Sequence, residues 1–166
     1  MKNIRSHSRA FAALTRRPPA AFAEITGSDE YPDIYGTVLL YPTSLGVLVT
    51  ADVSGLPQEE GKCMGEIYGF HIHAGENCAG NAADPFADTL AHYNPGECEH
   101  PRHAGDMPPL FGNNGYAFMS FLTDRFTIKD VLGKTVVIHR MPDDFTTQPS
   151  GNSGVKIACG KIEKAR

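Results

Sequence analysis

Tyr68-Gly69-Phe70-His71-Ile72-His73 is a short apolar run rich in strand-forming residues, and side chains in a strand alternate between its two faces. His71 and His73 therefore share one face, while Ile72 points to the other. Both imidazoles are free to converge on a single ion, and the isoleucine anchors the strand in a core.

Six of the chain's seven histidines fall between residues 71 and 139: His71, His73, His92, His100, His103 and His139, with Asp106 among them. The spacing is that of metal ligands and predicts a dinuclear site. Imidazole suits copper and zinc, whereas hard oxygen-seeking ions call for more carboxylates than this cluster contains. A lone histidine is more often a surface or hydrogen-bonded core residue than a ligand. That reading weakens for six in one window. His7, in a basic leader without partners, is the contrast and is expected to be solvated.

Strand-like runs flank this segment on both sides: Phe22 to Thr26, Gly36 to Tyr41, Gly46 to Val53, Ile67 to His73, Tyr116 to Thr123, Thr135 to His139 and Val155 to Ile162. Turn clusters such as Ser54-Gly55-Leu56-Pro57 and Gly112-Asn113-Asn114-Gly115 separate them. Seven or eight short strands at such spacing predict an all-β sandwich or barrel. Two long connections, 74–114 and 141–154, hold most of the unusual chemistry, and loops of that length in a compact domain are functional or disordered.

At 166 residues the chain fits one domain with its own core. No apolar run approaches the eighteen residues of a membrane-spanning helix, so no membrane partner is expected. Residues 1–23 carry Lys2, Arg5, Arg9, Arg16 and Arg17 and no acid, which leaves 10 basic and 19 acidic residues, formally −9, for the rest. Such a body has no broad basic surface for nucleic acid. The domain reading is a basic, flexible leader over 1–21 and a folded domain over 22–166. Phe11-Ala12-Ala13-Leu14 is too short for a secretory core, so a cytoplasmic location is expected, although the acid-free leader also resembles an organellar presequence in composition.

The strings Gly69-Phe70-His71-Ile72-His73, His92-Tyr93-Asn94-Pro95, His103-Ala104-Gly105-Asp106, Gly133 to His139 and Gly151-Asn152-Ser153-Gly154 through Ala158-Cys159-Gly160 resemble the copper/zinc superoxide dismutase family, in order, over about residues 20–162. The resemblance implies a Greek-key β-sandwich, or flattened eight-stranded barrel, with two long functional loops. It implies copper held by His71, His73, His92 and His139, and zinc held by His92, His100, His103 and Asp106. His92 would be an imidazolate shared by both ions, a state that two cations on opposite ring nitrogens make accessible near neutral pH.

The implied activity converts superoxide to dioxygen and hydrogen peroxide through Cu(II)/Cu(I) cycling, with His92 carrying a proton and Lys156, where the family usually has arginine, attracting the anion. Asp143 would bridge His71 and His100 by hydrogen bonds, its alternative being a turn former in Pro142-Asp143-Asp144. Cys78 and Cys159 occupy the places of the family's disulfide, the alternative being two buried thiols. Cys63 and Cys98 have no family counterpart: they could pair, stay free, or leave Cys98 competing for zinc beside His100. His100 and His103 are only three apart, which shortens the zinc loop. The competing functional reading is a non-catalytic copper- and zinc-binding module on the same fold, and a homodimer is the assembly kept open.

Overall fold

The computed structural model describes residues 13–58 and 66–166. Residues 1–12 of the leader, His7 among them, and Cys63 lie outside the described residues. In chain order the strands are β1 (Ala21–Gly27), β2 (Tyr35–Thr43), β3 (Gly46–Ser54), β4 (Ile67–Tyr68), β5 (Phe70–His73), β6 (Leu110–Phe111), β7 (Ala117–Thr123), β8 (Thr135–His139) and β9 (Lys156–Lys164). A single-turn helix, α1 (Ile128–Val131), lies between β7 and β8.

Period-two burial marks β1 and β7 as strands with one face on a core, whereas β5 and β8 are buried on both faces. Along β1 the residues Ala21, Ala23 and Ile25 are buried and alternate with more exposed neighbours, as a sheet with one face on a core requires. The main sheet is antiparallel throughout and runs β5-β8-β9-β1-β2-β3-β7. β1 to β3 form a meander, and the last strand, β9, returns to lie beside the first, which is the long connection of a Greek key. The β4–β6 pair bridges the sheet's two edges: β4 continues into β5 through Gly69, and β6 packs beside β7. The sheet thus curls around one core that includes Ile25, Val38, Leu40, Tyr68, Phe70, Ile72 and Ile138.

The run expected as one strand from Ile67 to His73 is broken at Gly69. There the backbone N–H donates to Met141 O and the carbonyl accepts from His139 N–H. A Cβ at Gly69 would come within 2.8 Å of Ser153 Oγ, so only glycine lets these segments close in. β6, inside the long connection, is too short and too close to Pro108-Pro109 to show a periodic signal, and with it the strands among the described residues number nine. β1 starts at Ala21, and just ahead of it Ala20 N–H donates to Leu40 O.

Candidate metal centre

β5 is only four residues long, yet its register decides where the ligands stand. The long loop returns along its free edge, pairing His92 with His73 and Asp106 with His71. Between these bridges Ile72 N–H donates to Gly105 O and Ile72 O accepts from Tyr93 N–H, both at 2.8 Å. A Cβ at Gly105 would lie 2.1 Å from Ile72 O, so the approach needs glycine. His139 comes from β8, where a register shift after Ile138 sets it opposite Lys156 on β9. Irregularities of this kind re-aim a side chain beside a functional site.

These elements gather two groups of ligand atoms, each lying within 4.8 Å of one another: His71, His73, His92 and His139, and then His92, His100, His103 and Asp106. All seven residues are buried. His92 belongs to both groups, its ring centroid 4.0 Å from that of His71, 4.9 Å from His73, 5.6 Å from His103 and 5.7 Å from His100.

Hydrogen bonding settles which nitrogens carry protons, because a carbonyl or carboxylate oxygen can only accept. His73 Nδ1 donates to Leu90 O at 2.7 Å and His139 Nδ1 to Gly154 O at 3.2 Å. Their Nε2 atoms are therefore bare in the neutral rings, and they face each other at 3.2 Å. Asp143 accepts from His71 Nε2 at 2.7 Å and from His100 Nε2 at 2.9 Å, which leaves both Nδ1 atoms bare as well. His100 Nδ1 sits 3.1 Å from the Asp106 carboxylate without forming a hydrogen bond. His71 Nδ1, His92 Nε2, His100 Nδ1 and His103 Nδ1 are all buried and without a hydrogen-bond partner. Lone pairs converging in this way repel one another unless cations lie between them, so the donor set fits two metal ions.

The electrostatics agree. Burial lowers the pKa of His71 despite the pull of Asp143, and burial together with His139 lowers that of His73 far more. Burial, helped by neighbouring His71, pushes His139 down to about 3. These rings are neutral and ready to ligate at physiological pH. Burial alone would raise the carboxyls. At Asp106 the hydrogen bond from His92 together with the charges of His92, His100 and His103 outweighs burial, and at Asp143 the hydrogen bonds from His71, Phe145 N–H and His100 do so jointly, holding it at about 2.

Asp143 is thus the bridge between the two groups, not merely a turn former. Gly151, with φ +67°, lies against it: a Cβ there would meet Asp143 Oδ1 at 2.0 Å and His100 Nε2 at 2.7 Å. Two supporting residues went unnoticed in the sequence. Gln148 clasps the His100 backbone, accepting from its N–H at 3.0 Å and donating to its carbonyl at 2.7 Å. Arg125, between β7 and α1, donates Nη1 to the carbonyls of Pro101, His103 and Asp106 at 2.9, 3.3 and 3.2 Å. Nothing in local spacing distinguishes either from an ordinary loop residue, because their partners lie 19 to 48 positions away.

A pocket of about 480 Å³ opens over the first group, lined by His73, His92, His139 and Lys156 among others. Lys156 Nζ donates to Asp84 Oδ2 at 2.7 Å and to Phe86 O at 3.0 Å. Cys78 and Cys159 form a disulfide, with Cα atoms 5.7 Å apart and 81 positions between them in sequence. Cys98 is a free, exposed thiol whose Sγ points to Gly96 O, and it takes no part in either ligand group.

With this geometry in place, residues 34–162 match the family model described as copper/zinc superoxide dismutase (SODC). The chain belongs to the copper/zinc superoxide dismutase family. A superoxide dismutase [Cu-Zn] of Deinococcus radiodurans is 33% identical over 153 residues, covering 81% of this chain and 80% of that protein. Those of Legionella pneumophila and Photobacterium leiognathi are 31% and 30% identical, each covering more than three quarters of both chains.

Proposed function

We propose that the protein is a superoxide dismutase, turning two superoxide anions and two protons into dioxygen and hydrogen peroxide. The observation that carries this reading is the pair of complete ligand groups sharing His92, with their buried bare nitrogens aimed inward. The all-imidazole group, His71, His73, His92 and His139, suits copper, and the three-histidine, one-carboxylate group, His92, His100, His103 and Asp106, suits zinc. When bound, copper supplies one-electron redox chemistry and zinc a redox-inert charge.

The chain's own residues do the rest. His92 Nε2 is buried and unpartnered, and it is the atom where the protein can hold a proton between the two half-reactions. Asp143 accepts from one ring of each group and so keeps both in the ligating tautomer. Lys156, on the pocket wall, attracts the anion into a body of formal charge −9.

Copper and zinc content per chain, measured with superoxide-dependent activity before chelation, after it and on metal return, tests the assignment. Metal binding without activity would replace it with the non-catalytic module. A homodimer is also part of the proposal, supported by Phe118 and Leu122, which lie exposed on β7. Sedimentation at micromolar concentration decides it. Fractionation of the source cells tests the cytoplasmic location.

A further inference from the structure

The Lys156 ammonium is engaged before any substrate arrives. Its Nζ meets Asp84 Oδ2 at 2.7 Å and Phe86 O at 3.0 Å, and the Lys156 side chain is only 15% exposed. Asp84 is itself firmly placed. Its Oδ1 accepts from Phe86 N–H at 3.0 Å, its own N–H donates to Asn81 Oδ1 at 3.2 Å, and its carbonyl accepts from Asn81 N–H at 2.9 Å. A Cβ at Gly80 would stand 2.2 Å from Asp84 O, so the turn is tight. Phe86, two residues on, is buried against Val137 and Cys159, which anchors the turn to β8 and β9. This is a built ion pair behind a lysine of the pocket lining, and its carboxylate belongs to neither ligand group.

A lysine is a mobile point charge on a flexible stem, where an arginine would be a planar fork holding its own geometry. Left alone at the pocket wall, such a lysine would sample many positions, and its full charge would bind any small anion. The Asp84 carboxylate removes both freedoms at once. It fixes the stem and offsets part of the charge, leaving a local potential that draws an anion in but releases it readily.

We propose that Asp84 is a positioning residue that acts through Lys156, setting how strongly the pocket holds small monovalent anions. The proposal rests on the dismutase reading above, and it concerns a carboxylate outside both ligand groups.

The test compares the copper- and zinc-loaded parent with Asp84→Asn and Asp84→Glu, using azide as the probe anion. Affinity is read from the azide-to-copper charge-transfer absorption at low and at high ionic strength. Removing a unit charge a few ångströms from the cation should tighten azide binding about two- to fivefold at low salt. The difference should shrink as screening shortens the reach of the charge, and Asp84→Glu should restore the parent affinity. A second readout needs no metal: the rate of reductive methylation at Lys156 in the metal-free protein, followed by peptide mass spectrometry. It should rise in Asp84→Asn and return in Asp84→Glu. Unchanged or weaker azide binding in a folded, copper-loaded Asp84→Asn protein overturns the proposal, as does an unchanged methylation rate. If the parent itself binds no azide, the dismutase reading falls and this proposal with it, whereas parent binding that Asp84→Asn leaves untouched removes only the role of Asp84.

Discussion

His139 is a buried imidazole whose pKa stands at about 3 against an ordinary value of 6.5, and that difference makes the metal-free protein sensitive to acid. Between these two values the unfolded chain holds a proton that the folded one refuses, so stability rises with pH across the window and is lost as pH falls. His71 and His73 are depressed in the same direction, and Asp143, held at about 2, extends the loss below the usual carboxylate range. The expected result is a urea midpoint for chelated protein that drops steadily from pH 7 to pH 4. A flat midpoint would contradict the neutral-ring assignment. Replacing the ring altogether separates ligation from folding. His139→Ala should abolish dismutation and copper binding while zinc content and the far-ultraviolet β spectrum persist, because the core of Phe70, Ile72, Val136 and Ile138 is built from the opposite strand faces.

At the scale of elements, the loop that carries His100, His103 and Asp106 is held by groups from elsewhere in the fold. Arg125 grips three of its carbonyls from the β7–α1 turn, so Arg125→Gln should weaken zinc by about 10-fold, the lower end of what supporting groups around a metal contribute. Competition with a chromogenic chelator measures it, and copper affinity should move less. Gly151 makes the opposite kind of contact, being tolerated because it has no side chain. In Gly151→Ala the new methyl would displace Asp143 from between His71 and His100, so both metals should bind more weakly together. Parallel titrations check it, and loss of one metal alone would separate the two groups. The strand pattern was readable because its signals are local: β1 alternates in burial, and β8 is a short run rich in β-branched residues. β6 and the break at Gly69 were not, since two-residue elements carry no period and the break answers to Ser153 and His139.

For the whole molecule, the Cys78–Cys159 bridge ties the long loop to the last strand across 81 positions. A chain-entropy estimate for closing so long a loop is about 4 to 5 kcal/mol. Reduction should therefore lower the denaturation midpoint of the metal-loaded protein, checked by guanidinium titration with and without reductant. The same bridge lies beside Phe86, within two residues of the carboxylate that holds Lys156, so reduction should also raise the salt sensitivity of turnover.

Sequence alone named the candidate ligand residues and their order. His-x-His on a strand must present two rings on one face, and the remaining ligands lie in recognisable strings. The choice of partners, which for Asp143 only the family resemblance had suggested, belonged to tertiary structure. Asp143 reaches across 72 positions to His71 and 43 to His100, Gln148 across 48 to His100, and Asp84 across 72 to Lys156. A short-range pattern holds no information about such pairs, because they exist only once the sheet has curled and its two loops have met over β5.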